Sequence, residues 1–86
     1  MTLKEFLKVW ENKNTMVCIT ALAFFKNSKK YYSFRTLESD RRIGSLTDEK
    51  DDYVLNLQVK KVHLNEDNSL YIDVIEWIDD EEYEVV

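Results

Sequence analysis

Proline is absent from this 86-residue chain, and glycine, cysteine and histidine occur once each, as Gly44, Cys18 and His63. Each shortage removes a class of chemistry. Phosphate-cradling loops and dinucleotide fingerprints need several glycines at fixed spacing, so one glycine excludes them. A single cysteine forbids an internal disulfide, and its place in the apolar run Met16-Val17-Cys18-Ile19 points to a reducing compartment. One histidine cannot build a multi-histidine zinc site. The apolar strand around Cys18 offers no base or cation to activate a thiol, which favours a core role over a nucleophilic one. Neither Asn65 to Ser69 nor Asp79 to Glu84 follows the calcium-loop pattern of alternating oxygen ligands around a glycine. Carboxylate pairs suited to glycoside hydrolysis are available in so acidic a chain, but so small a domain offers little cleft for a sugar. The expectation is a protein without catalytic residues, metal or cofactor.

Long apolar runs are missing too. No apolar segment reaches the length of a membrane span, and Met1-Thr2-Leu3-Lys4-Glu5 does not begin a secretory signal, so a cytoplasmic location is expected. What remains is the composition of a folded protein, with 44% apolar and 13% aromatic residues beside 34% charged ones. The length fits one core. Residues 1–78 are expected to form a single α+β domain and 79–86 an acidic tail.

Thr2 and Glu5 stand at the spacing of a capping box, and Leu3, Phe6, Leu7 and Trp10 fall on one face of a helix ending near Glu11. After the turn Asn12-Lys13-Asn14, residues 15–25 are rich in β-branched and aromatic types and read as a central strand with both faces partly covered. Lys26-Asn27-Ser28-Lys29-Lys30 breaks the pattern and Tyr31 to Leu37 resumes it, which describes a hairpin. The stretch 38–52 is the least regular. A turn is expected around Gly44, followed by a short helix capped by Ser45 or Thr47 and reaching toward Val54. Val59, Val62 and Leu64 mark a third strand, in which Lys60-Lys61 interrupts the two-residue period as a bulge does. Asn65 to Ser69 is a turn, and Leu70 to Trp77 is the last strand, with Leu70, Ile72 and Val74 inward. The predicted architecture is an N-terminal helix packed on an antiparallel sheet of about four strands made of two hairpins.

Charge divides unevenly along the chain. Residues 62–86 hold nine acids and no Lys or Arg, while residues 1–61 carry a net +4, so the overall −5 conceals two opposed parts. The acidic candidates for a partner surface are Asp73, Glu76, Asp79, Asp80, Glu81, Glu82 and Glu84, with Trp77 as an aromatic anchor. Carboxylates spaced along a rigid element imitate nucleic-acid phosphates, so the expected partner is another protein with a basic surface. A rival surface lies in the middle of the chain, where Lys26, Lys29, Lys30, Arg35, Arg41 and Arg42 interleave with Tyr31, Tyr32 and Phe34. That combination suits a nucleic-acid backbone with stacked bases. Outward Lys and Arg also protect sheet edges, and acidic ends also keep proteins soluble. Self-association through a sheet edge or an apolar face is a third reading.

The opening Thr2-Leu3-Lys4-Glu5-Phe6-Leu7 and the hairpin running from Val59-Lys60-Lys61-Val62-His63-Leu64 to Leu70-Tyr71-Ile72-Asp73-Val74 resemble those of short proteins encoded by phages and mobile elements of low-GC Gram-positive bacteria. Such proteins include anti-CRISPR inhibitors and other counter-defence factors, several of them DNA-like in charge. The resemblance implies a non-enzymatic inhibitor of a host nucleic-acid-binding defence protein, acting in the bacterial cytoplasm. The lysine-rich middle departs from a uniformly acidic mimic.

Overall fold

A computed structural model of the chain describes residues 1–79. Helix α1 spans Leu3–Val9, strand β1 Met16–Phe25, strand β2 Tyr31–Arg42, helix α2 Asp48–Leu55, strand β3 Gln58–Leu64 and strand β4 Leu70–Ile78, with a single 3-10 turn at Ile43–Ser45. The fold class is α+β, as expected. The sheet runs β2-β1-β4-β3, and here the structure departs from the purely antiparallel expectation. Each hairpin is antiparallel, but their central strands β1 and β4 lie parallel, from Val17 beside Leu70 to Phe25 beside Ile78. The sheet is mixed because α2 carries the chain back across one face before β3 begins, and parallel neighbours need such a crossover.

Both ends of α1 are chemically specified. The Thr2 hydroxyl accepts from the Glu5 N–H at 3.2 Å and the Glu5 carboxylate accepts from the Thr2 N–H at 2.9 Å, which completes the capping box. The helix stops at Val9, earlier than its apolar period suggests. Lys13 folds back and donates to the Leu7 and Trp10 carbonyls at 2.6 and 2.5 Å, while the Trp10 indole donates to Thr15 Oγ1 at 3.0 Å. Orphan carbonyls at the helix end are thus satisfied by a cation, which also suits the helix dipole. Gly44 makes a close approach to this corner rather than a left-handed turn. Its N–H donates to the Lys13 carbonyl at 2.8 Å, and an added Cβ would stand 3.2 Å from that oxygen.

Strand β2 continues past Leu37 to Arg42, absorbing much of the stretch that reads as irregular. Bulges make this possible, since its register against β1 shifts three times and Asp40 takes a φ of 53°. Helix α2 is capped by Thr47, whose side chain accepts from the Lys50 N–H. The register break expected at Lys60-Lys61 is present between Val59 and Lys61.

Strict alternation decides where the core lies. Val17, Ile19 and Ala21 on β1 and Leu70, Ile72 and Val74 on β4 are all 0% exposed. They meet Leu3 and Leu7 of α1, Ile43, and Val54 and Leu55 of α2 in one cluster. Each fully buried Leu, Ile or Val contributes about 1.5–3 kcal/mol, so this single layer holds the fold. Both helices sit on that side. The intervening positions of β1 and β4 point the other way, where no described element covers them.

Candidate functional site: the helix-free face of the sheet

The parallel pairing of β1 and β4 sets matched residues side by side on the uncovered face. Cys18 stands beside Tyr71, Thr20 beside Asp73, Leu22 beside Ile75 and Phe24 beside Trp77. The antiparallel hairpins extend these rows, placing Phe34 next to Leu22, Thr36 next to Thr20, Lys61 next to Asp73 and His63 next to Tyr71. Several large side chains remain accessible, with Phe34 at 66%, Tyr71 at 54%, Tyr31 at 53% and Trp77 at 46%. An apolar patch that no described element covers is a candidate contact surface.

One corner of this face is a built aromatic cluster. The Phe24 ring lies 5.7 Å from Tyr31, edge to face, and 5.8 Å from Trp77, tilted. These are the separations at which aromatic pairs attract. Two ammonium groups approach the same rings, Lys29 Nζ at 4.6 Å from the Trp77 centroid and Lys60 Nζ at 5.9 Å from that of Phe24. A cation over a ring face is attracted by the ring quadrupole. Lys29 sits in the β1–β2 turn with a φ of 61°, a left-handed conformation that side chains other than glycine adopt at a cost. The bulge at Lys60-Lys61 turns two successive lysines to the open face, which a regular strand cannot do.

The acidic candidates part company in the structure. Glu76 points to the helix side beside Ala23 and is 6% exposed. Its carboxylate accepts from Arg35 Nε at 3.1 Å and Nη2 at 2.7 Å, and from the Tyr53 hydroxyl of α2. These bonds fasten α2 to the sheet and leave no carboxylate for a partner. The Arg35 guanidinium is the main reason the Glu76 carboxyl lies below its usual range, with burial opposing and Tyr53 assisting. Burial is the first cause raising the Tyr53 phenol, followed by Glu76. Asp73 and Trp77 are on the open face, and Asp79 is exposed just beyond β4. Asp80, Glu81, Glu82 and Glu84 lie outside the described residues.

The basic candidates divide as well. Arg35 is held by Glu76, and Arg41 pairs with Glu38 at 3.1 Å and Asp51 at 3.3 Å on the helix side. Burial pushes the Asp51 carboxyl up, but the Thr47 N–H and Arg41 overcome this and its pKa is lowered. Tyr32 packs against Phe25, 5.3 Å away, off the aromatic corner, and exposed Arg42 lies opposite Met16 at the far end of β2. Of this set Lys29 and Tyr31 belong to the Trp77 corner, while Lys26 and Lys30 lie in the adjoining turn, where the Lys26 N–H donates to the Ile78 carbonyl at 2.9 Å. The lysine turn and the start of the acidic end therefore share one corner of the sheet.

Phe34, noted among the aromatics of the basic segment, lies on this surface, and Leu22, Phe24, Lys60, Lys61, Tyr71 and Ile75 complete it without having been candidates. The off-phase row Tyr71, Asp73, Ile75, Trp77 in β4 is the signal that marks them, because it alternates with the buried row Leu70, Ile72, Val74.

The structure keeps Cys18 and His63 apart. Cys18 is half-buried on the open face, with Ser39 Oγ at 3.9 Å and Asp40 Oδ1 at 3.8 Å. His63 lies two strands away, about 10 Å across the sheet, beyond hydrogen-bond reach. Among the described residues no group of three or more His, Cys, Asp or Glu is placed to hold a metal ion. A groove of about 410 Å³ on the helix side is floored by Leu7, Ile43, Leu46 and Leu55 and rimmed by lysines. Its rim is tied into the fold, Lys4 to Asp48 at 3.1 Å and Lys13 to the end of α1. Among the described residues no helix is long and apolar enough to cross a membrane. No protein-family model matches the chain, and comparison with curated proteins and with solved structures gives no match either.

Proposed function

We propose that the chain is a non-enzymatic binding module whose contact surface is the helix-free face of its sheet. The observation that carries this reading is the cluster Tyr31, Phe24 and Trp77 with Lys29 and Lys60 over its rings, continued by exposed Phe34 and half-buried Leu22 and Ile75. Aromatic anchors ringed by polar groups are the usual energetic centre of a binding surface. The alternative contact through the acidic end keeps Asp73, Asp79 and the acids that follow, but it loses Glu76 to the Arg35 pairing. An inhibitor of a nucleic-acid-binding defence protein fits either surface.

Capture of bound material from cells that make the protein tests the reading. Phe34→Ser combined with Trp77→Ala is expected to abolish capture, whereas Lys8→Ala on the exposed side of α1 leaves it intact. Equal capture by the unaltered chain and both variants would reject the open face as the contact surface. The double variant should stay folded, because both side chains are largely outside the core cluster.

A further inference from the structure

Given that the open face is the contact surface, we infer that its occupant is a single-stranded nucleic acid, with bases stacking on Trp77, Phe24 and Phe34 and phosphates meeting Lys29, Lys60 and Lys61. The inference rests on the preceding reading and adds the chemistry of the ligand.

Charge placement argues for an anionic occupant even though the chain is net −5. Four of the acids, Asp48, Glu49, Asp51 and Asp52, belong to α2 on the opposite side of the sheet. Glu38 and Asp51 share Arg41, and Glu76 is paired with Arg35. On the open face, Lys29, Lys60 and Lys61 flank the rings, with Lys26 and Lys30 in the adjoining turn; Asp73 is the central acid, and Asp40 beside Cys18 and Asp79 beyond β4 lie toward the two ends. A groove or face that combines cations with aromatic planes is what single strands require, since every base offers a π-face and every nucleotide a phosphate. Duplexes fit less well. Their bases are already stacked, and the open face carries no helix or projecting ribbon to enter a groove.

The lysines over the rings are part of the expected mechanism. An exposed cation–π contact is weaker than the stacking of a base on an aromatic side chain. A base can therefore displace the Lys29 ammonium from Trp77, and the freed ammonium remains near enough to meet the phosphate of the same nucleotide. Hydrogen bonds to base edges are not needed for this, so the preference should be for single strands rather than for a sequence.

Titration of the full chain with a labelled oligothymidylate of about fifteen nucleotides, and with a duplex of equal length, tests the inference at low salt. The single strand should bind more tightly than the duplex and quench Trp77 emission. Trp77→Ala and Phe34→Ala should each weaken binding about 5- to 150-fold, and Lys60→Ala should lower the salt slope by about 0.7 for each phosphate it no longer neutralises. Neutralising the acidic end with Asp79→Asn, Asp80→Asn, Glu81→Gln and Glu82→Gln should tighten binding, since those charges follow β4 in sequence and like charge repels a phosphate backbone. Absence of single-strand binding at low salt, or binding indifferent to Trp77→Ala and Phe34→Ala, would overturn the inference. If no oligonucleotide binds while the open-face variants still abolish capture of a protein, the occupant is that protein and the open-face reading stands. If oligonucleotide binding is absent and capture is also unaffected, both fall.

Discussion

Glu76 illustrates how a single carboxylate can be read wrongly from its neighbours in sequence. It lies in the acidic half of the chain between two residues of the open face, yet strand alternation turns it to the helix side, where Arg35 and Tyr53 close on it. Its depressed pKa fixes a pH dependence. A carboxyl whose folded pKa lies below its unfolded value of about 4.3 adds stability above that value and loses it as pH falls through the folded pKa. Thermal melts should therefore show a stability loss in that acidic range, and Glu76→Gln should flatten part of it while lowering neutral-pH stability by about 1–2 kcal/mol. The remaining slope is shared by Asp51, Glu5 and Asp67, whose carboxyls are lowered too. Lys29 gives the complementary case of a residue that does not favour its own conformation. Lys29→Asn should be tolerated or raise stability by up to about 1 kcal/mol in denaturant titrations, because Asn adopts a left-handed φ more readily. The same change should weaken binding at the open face by removing the ammonium over Trp77.

At the level of elements, local chemistry was legible where a small set of neighbours decides the outcome. The Thr2–Glu5 capping box, the Thr47 cap, the Lys60-Lys61 bulge and the turn after Leu64 all depend on residues within a few positions of one another. Thr2→Ala should cost about 1 kcal/mol in thermal or urea unfolding by opening that box. The end of α1 was less legible because Lys13, outside the helix, supplies its cap. Strand β2 outran its alternating pattern because bulges let Leu37 and Glu38 both leave the accessible edge. The parallel contact of β1 with β4 had no local signal at all. It joins residues more than fifty positions apart, such as Val17 and Leu70, and follows only from where α2 crosses the sheet.

Across the whole molecule, the division of charge by sequence position proved less telling than its division by face. Acids and bases from both halves of the chain neutralise one another on the helix side, as Arg35 does with Glu76, while lysines from the β1–β2 turn and from β3 converge on the aromatic corner. Trp77, Lys29 and Tyr31 were recognisable as separate candidates. Their union with Phe24, Phe34 and Lys60 required the sheet order, which brings two hairpins together through their central strands. The described helices form one layer, so among the described residues nothing covers the other face of the sheet, and its aromatic and cationic lining is what makes it the candidate site. The most direct measurement compares capture of bound material by two variants of the full chain, Phe34→Ser with Trp77→Ala on the open face and the four-residue neutralisation from Asp79 to Glu82. The open-face account predicts that the first loses its ligand and the second keeps it. Retention by the first and loss by the second would contradict the account and assign binding to the acidic end.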